Sequence, residues 1–260
     1  MTQLDIARSG KVSPEMEQAA AAENVSAEKI RELIASGRAV IPKNKRHQFE
    51  QILAIGEGLR TKVNANIGTS GPCSGVEGEI AKLEAAVAAG TDSVMDLSTG
   101  QDCREVRRMV LDRSPVMVGA VPIYIVATKL RKEGKPLAKM DGDELFRSIE
   151  TQCSEGLDYI TVHCGVTSGV VRRLEHYERI MPSVSRGGSI LMHWMEKNNK
   201  ENPLYEDFDA LLDIAHTYDV TLSLGDGFRP GTVVDATDGP QVEELIVLGE
   251  LARRARAWGV

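Results

Sequence analysis

The residues of this sequence that could do chemistry recur at the ends of short apolar runs. Asn64, Asn66, Gly68, Thr69 and Ser70 close the first run, and Met95, Asp96, Ser98, Thr99 and Gly100 the second. Pro122 and Tyr124 end the third, and His163, Cys164 and Gly165 the fourth. Ser185-Arg186-Gly187-Gly188-Ser189 precedes a fifth run, and Gly225-Asp226-Gly227-Phe228-Arg229-Pro230-Gly231 follows a sixth. The Ser185–Ser189 stretch is the best phosphate candidate. Glycines let backbone N–H groups approach an anion, serine adds a hydroxyl donor, and Arg186 adds a forked charge. Asp226 and Arg229 straddle Gly227, so a carboxylate and a guanidinium can face one cavity; the alternative is a pair that only stiffens its loop. His163 and Tyr124 are the natural proton-transfer or hydroxyl-orienting groups, and no residue is assigned as a catalytic acid or base. Each residue alone has a structural explanation: a turn for Asn66, core packing for Met95 and Tyr124, a satisfied core histidine for His163. Convergence on one set of strand ends points to a site.

The five histidines show no HxH or HExxH spacing and the four cysteines no CxxC, so no metal ligand is assigned. His176 and His216 read as solvated helix positions, and His193, beside Trp194, as a strand residue near the rim. Cys73, in the loop Gly71-Pro72-Cys73-Ser74, reads as a bystander thiol. No Ser–His–Asp or Cys–His triad stands out.

The elements that must position these residues follow from periodicity. Strands are expected over Lys62–Ile67, Ser93–Leu97, Val118–Tyr124, Tyr159–His163, Ser189–Trp194 and Val220–Leu224. Helices are expected over Val76–Ala89, Glu105–Leu111, Gly142–Glu155, Gly169–Arg179, Glu206–Thr217 and Val242–Trp258, with Val76, Ile80, Leu83 and Val87 on one face. Six βα units imply a parallel sheet with right-handed crossovers. An open doubly wound sheet and a (βα)8 TIM-type barrel both fit. No GxGxxG follows the first strand, and the polar residues gather at strand C-termini, where a barrel builds its site; the barrel is preferred. Residues 1–60 differ. Ser13-Pro14-Glu15 and Ser26 start two short helices, and a basic cluster, Lys43, Lys45, Arg46 and His47, follows. This stretch reads as an N-terminal helical cap, with the barrel over 61–260.

Composition narrows the function classes. The chain has 260 residues, 42% of them hydrophobic and 27% charged, with a net charge of -7. That excludes a uniformly basic nucleic-acid or membrane-surface binder. No apolar run approaches the roughly 20 residues of a bilayer span, and the first residues lack the pattern of a signal peptide. The cysteine usage fits a reducing cytoplasm.

Asn64-Ala65-Asn66-Ile67-Gly68, Val94-Met95-Asp96-Leu97-Ser98-Thr99-Gly100, Val121-Pro122-Ile123-Tyr124, His163-Cys164-Gly165, Val184-Ser185-Arg186-Gly187-Gly188 and Ser223-Leu224-Gly225-Asp226-Gly227 together resemble the thiamin pyrimidine synthase (ThiC) family, as do Thr2-Gln3-Leu4 with Ala7-Arg8 and Lys200-Glu201-Asn202-Pro203-Leu204-Tyr205. The resemblance runs in one order over essentially the whole chain. It implies a radical S-adenosylmethionine lyase on a (βα)8 barrel acting on 5-aminoimidazole ribonucleotide. A [4Fe-4S] cluster, S-adenosylmethionine and zinc are the implied cofactors, and a homodimer the implied assembly. Carried over by motif, the implied substrate contacts are Asn66, Met95, Tyr124, His163, Ser185, Arg186, Gly187, Asp226, Gly227, Phe228 and Arg229.

Three positions depart from the thiamin pattern that the resemblance implies. Ile125 stands for Gln, Phe228 for Leu, and His193 for a small residue. Read as rim residues, they favour the related branch that makes 5-hydroxybenzimidazole, a cobamide (vitamin B12) lower-ligand precursor, over the thiamin pyrimidine phosphate. The family's CxxCxxxxC cluster motif and metal-binding histidines are absent from these 260 residues. The sequence therefore reads as a barrel cut before its last two units and a C-terminal cluster domain, inactive alone and with an open sheet edge. A non-catalytic ligand-binding barrel fragment is the alternative in a different class. An aldolase-like barrel enzyme is disfavoured because Lys62 is poorly placed for a Schiff base.

Overall fold

The computed structural model describes residues 1–70, 75–100 and 102–260; the Cys73 loop lies outside them. The chain begins with α1 (Gln3–Arg8), α2 (Pro14–Glu23) and α3 (Ala27–Ala35). Each starts on a hydroxyl cap: Thr2 Oγ1 accepts from the Asp5 N–H, Ser13 Oγ from Met16 and Ser26 Oγ from Lys29. Such caps satisfy N–H groups that have no acceptor inside the helix. The three helices and a two-stranded antiparallel pair, β1 (Ala39–Val40) and β2 (Ile55–Gly56), enclose a core of their own around Met16, Ala19, Ile30, Leu33, Ile41 and Ile52.

The rest alternates strand and helix: β3 (Asn64–Ile67), α4 (Val76–Ala88), β4 (Ser93–Asp96), α5 (Cys103–Arg113), β5 (Met117–Ala120), α6 (Ile123–Lys132), α7 (Gly142–Glu155) and β6 (Tyr159–Val162). Then come α8 (Ser168–Leu174), α9 (Arg186–Asn198), α10 (Pro203–Glu206), α11 (Phe208–Tyr218), β7 (Thr221–Leu224) and α12 (Gly239–Trp258). The sheet runs β3-β4-β5-β6-β7, all parallel, with Asn66 opposite Met95, Met95 opposite Gly119, and Tyr159 opposite Thr221. The strands lie side by side in chain order, so there is no order reversal of the doubly wound kind.

Side chains alternate across a strand, and here the two faces differ in chemistry. Ile67, Val94, Val118, Ala120, Ile160 and Val162 belong to the large core shared with the helices. Met117 and Tyr159, with Met95 against them, point the other way and pack on Leu53 of the N-terminal region. On that face Tyr159 Oη also bonds Ser93 and Asn64.

Two expected strands need correction. Among the described residues the sheet has five strands, not six, and it is an open sheet. The expected strand Ser189–Trp194 lies inside α9, where Ile190, Leu191, Trp194 and Met195 form one buried face. A short apolar run fits a strand and a buried helix turn equally well by period, and Ser185 decides it by capping the helix through Gly188 N–H at 3.1 Å. Likewise the third strand stops at Ala120. Pro122 stands before α6, so Tyr124 is a first-turn helix residue rather than a strand end.

Candidate functional site

The C-terminal ends of the strands carry the turns that the sequence singled out. Asn66 of β3, Gly68, Thr69 and Ser70 after it, Thr99 after β4, Tyr124 on α6, Val184 and Arg186 at the start of α9, Arg229 after β7 and Lys82 on α4 line one cleft of about 570 Å³. The Arg186 guanidinium lies over the Tyr124 ring, 5.1 Å from its centroid. That geometry fixes a flexible cation against a rigid aromatic. Arg229 Nη1 donates to the Asp226 carbonyl at 3.0 Å and approaches its carboxylate at 3.4 Å. Both side chains are substantially exposed, so this contact restrains Arg229 without using up its charge.

Beneath the cleft the rim is packed glycine against side chain. A Cβ on Gly187 would lie 2.5 Å from His163 Nδ1, and one on Gly188 would lie 2.7 Å from Gly227 Cα. Ser183 Oγ donates to the Gly227 carbonyl at 3.0 Å. The first turn of α9, the β6 end and the β7 turn therefore form one block that no larger residue at 187 or 188 could enter. The α9 N-terminus brings its first N–H groups and partial positive charge to this block, a setting that suits an anion.

Charge at the rim is set by burial. His163 is 4% exposed and its Nδ1 has no hydrogen-bond partner among the described residues. Burial, reinforced by the Arg229 charge, pushes its pKa down to about 4, so the imidazole is neutral at neutral pH. Burial also raises the Tyr124 hydroxyl, against the pull of Arg186 and Arg229, keeping it a protonated donor. Glu244 of α12 is 1% exposed and accepts from Gly227 N–H at 2.7 Å and Phe228 N–H at 2.9 Å. Burial moves it up to about 7 in spite of both bonds.

The sequence-derived residues divide into three groups. Asn66, Tyr124, Arg186 and Arg229 share the cleft, with Asp226 exposed at its margin on Arg229. His163, Ser185, Gly187, Gly227 and Phe228 lie buried behind it, and the Phe228 side chain is fully in the core. Met95 is paired with Asn66 in register but lines a different cavity, toward the N-terminal end of the sheet, with Tyr159 and Ser223. His193 is corrected outright: it sits on an exposed face of α9, not at the rim. Sequence reasoning missed the residues that hold the turns. Glu244 is one. Asn202 is another, fully buried, donating from Nδ2 to the His163 carbonyl at 2.9 Å and the Val166 carbonyl at 3.0 Å. Glu79 of α4 is a third, accepting from Gly68 N–H at 2.7 Å. Helix acids carry no distinguishing local signal, and Asn202-Pro203 signals only the helix start that it caps, not the two carbonyls that its amide meets.

A metal cluster does not fit the residues described. No group of three or more His, Cys, Asp or Glu is gathered among them. Cys103, Cys153 and Cys164 are buried, and burial raises all three thiols, Cys153 and Cys164 to about 12. A cluster ligand must be a thiolate.

A profile of the Radical SAM ThiC family matches residues 2–260, and the chain belongs to that family. Radical SAM membership implies a [4Fe-4S] cluster and S-adenosylmethionine. Among similar proteins, a phosphomethylpyrimidine synthase of Desulfitobacterium hafniense is 54% identical over 260 residues, covering 100% of this chain and 60% of its own length. One of Moorella thermoacetica is 55% identical with the same coverage, and one of Thermotoga petrophila is 50% identical, covering 100% and 61%. The chain thus spans about 60% of the length of the curated relatives it matches. These names overturn the 5-hydroxybenzimidazole expectation and the cobamide role attached to it. The structure removes two of its three supports: Phe228 is buried in the core, and His193, two turns along α9 from Arg186, does not line the cleft. The third, Ile125, does not line the cleft.

No helix among the described residues is long and apolar enough to cross a membrane.

Proposed function

We propose that this chain carries the ribonucleotide-binding part of a phosphomethylpyrimidine synthase, which converts 5-aminoimidazole ribonucleotide to 4-amino-5-hydroxymethyl-2-methylpyrimidine phosphate for thiamin biosynthesis. The observation that carries the reading is the cleft in which Arg186, stacked on Tyr124, and Arg229 converge beside Asn66. Two guanidinium groups, an aromatic hydroxyl and an amide suit an anionic, hydroxyl-rich ligand.

In this reading Ser185, Arg186 and Gly187 hold the phosphate at the α9 N-terminus. Asp226 and Arg229 take polar edges of the ribonucleotide, while Gly227 and Phe228 act through the backbone. Asn66 approaches from β3; Met95 of β4 lines the other cavity and is left out of the contact set. Tyr124 orients a hydroxyl or imidazole group, and neutral His163 backs the Gly187 and Gly225 turns from behind. These residues bind and align the substrate; the radical is the cofactors' chemistry, and no step of it is assigned to them. The finer parts of the reading are a carbon–carbon lyase, a (βα)8 barrel over 61–260 of which the sheet is an arc, a helical cap over 1–60, zinc beside the cluster in the whole enzyme, a homodimer and a cytoplasmic setting.

Calorimetric titration with 5-aminoimidazole ribonucleotide tests the binding. Saturable one-site binding that Arg186→Ala weakens at least tenfold supports it, and absence of binding sinks it. Mass spectrometry of the product from cluster-reconstituted whole enzyme tests the conversion; a product other than the pyrimidine phosphate overturns it.

A further inference from the structure

We propose that Glu244 is the positioning residue of the β7 turn, holding Gly227 and Phe228 by their N–H groups and so fixing where Asp226 and Arg229 stand at the rim. This rests on the ribonucleotide reading only for the identity of the ligand that Arg229 meets.

The geometry is specific. The two carboxylate oxygens take one N–H each, at 2.7 and 2.9 Å, from consecutive residues of the turn. Only an acceptor with two free oxygens can do this. A neutral carboxyl or an amide presents one acceptor oxygen and one donor, and the donor would face an N–H. The carboxylate is drawn from the second turn of α12, sixteen and seventeen residues from its partners. The turn is therefore tied to a helix rather than to its own strand. The turn is also wedged on its other side, because Gly227 packs on Gly188 and its carbonyl accepts from Ser183. A shift of the Gly227–Phe228 backbone moves the flanking Asp226 and Arg229 with it.

Nothing around Glu244 neutralises it fully. Asp226, on the turn, opposes its ionisation. Arg179, beyond α8, favours it but is itself engaged by Asp238 at the α12 N-cap, Nε to Oδ2 at 2.6 Å. With burial as the largest cause, its pKa stands at about 7, whereas His163 stays neutral above about pH 4. The two-acceptor form is therefore gained as pH rises through 7.

The test compares wild type with Glu244→Gln and Glu244→Asp by two readouts. Amide exchange of the free protein at pH 8 reports the turn directly: exchange at Gly227 and Phe228 accelerates about tenfold or more in Glu244→Gln, relative to the core strands of the same sample. Affinity for 5-aminoimidazole ribonucleotide, titrated from pH 6 to 8, reports the consequence. Wild type gains affinity over that range beyond the gain of Glu244→Gln, which is about tenfold weaker at pH 8, and Glu244→Asp keeps part of the pH dependence. A residue that merely stabilises α12 would change melting but leave the two pH profiles parallel. Parallel profiles, or unchanged exchange at 227 and 228, overturn the proposal. If wild type fails to bind the ribonucleotide, the ligand reading falls while the exchange arm still decides whether Glu244 holds the turn.

Discussion

The two ends of the sheet use charged residues differently. At the N-terminal ends of the strands, carboxylates are buried and fully engaged with the N-terminal region. Asp158 accepts from Val118 N–H at 2.7 Å and Asn44 N–H at 2.9 Å, and its other contact is His47 Nδ1 at 2.7 Å. Asp92 pairs with Arg60 at 2.5 Å and accepts from Val63 N–H at 2.8 Å. Lys62 and Glu23 form a buried pair at 2.5 Å. At the C-terminal ends the buried acids Glu79 and Glu244 hold backbone turns instead, and two cations, Arg186 and Arg229, stand exposed to the cleft. Arg186 has no carboxylate partner among the described residues, and its main restraint is a ring face. One end spends its charges on joining two cores; the other keeps them available to a ligand. On the proposed reading, stability and binding are thus separated along the strand direction.

The largest effect is expected at the joint. Asp158→Ala strands His47 and two backbone N–H groups in a buried site and should cost about 3–5 kcal/mol in urea unfolding, with ligand affinity of the remaining folded protein unchanged. A loss below about 1 kcal/mol would break the contrast. Next is the packed rim block: Gly188→Ala drives a Cβ into the Gly227 backbone and should cost about 1–3 kcal/mol, together with most ligand affinity. Arg186→Ala should show the converse pattern. Its stability should stay within about 0.5 kcal/mol, while ribonucleotide affinity falls by about 10–100-fold, measured by calorimetry.

Smaller still is a pH effect that links the two ends. Asp219, which accepts from Gln3 N–H at the N-terminal side, and Glu244 at the rim are both raised to about 7, chiefly by burial. A carboxyl raised in the folded state favours folding below its unfolded pKa, and that contribution is lost as pH rises through the folded value. Unfolding free energy should therefore decline between about pH 4 and 7, with a contribution from each group. Asp219→Asn and Glu244→Gln should each flatten part of the decline in a chemical-denaturation series; a profile unchanged by both substitutions would refute the assignment. The smallest effect belongs to His193→Ala, which should leave stability within about 0.5 kcal/mol and ligand affinity untouched, since the side chain is exposed and does not line the cleft.

Much of the architecture was legible locally. Ser13 and Ser26 announced α2 and α3, and the spacing of Ile80 and Leu83 announced the buried face of α4. Five of the six expected strands exist, shortened at their ends. The failures have one cause. Ile190-Leu191-Met192 and Val121-Pro122-Ile123-Tyr124 are short apolar stretches whose period cannot separate strand from buried helix; the Ser185 cap resolves the first and the turn at Pro122 the second, and both depend on where the chain turns. The turns gathered at the strand C-termini were also recognisable, from the spacing of their glycine, serine and arginine residues.

By itself, then, the sequence determined the family, the alternation of strands and helices, and the set of turns that carry polar chemistry. These depend on local pattern and on ordered motifs along the chain. The tertiary structure alone decided which of those residues meet a ligand-sized cleft and which lie behind it: Arg186 and Tyr124 stack across it, whereas His163 and Phe228 are buried. It alone also revealed Glu244, Asn202 and Asp158, whose roles consist of contacts 16 to 114 residues apart along the chain. Burial and hydrogen-bond pairing are properties of the packed chain, and an acid on a helix has the same local sequence signature whether it ends in solvent or grips a distant turn.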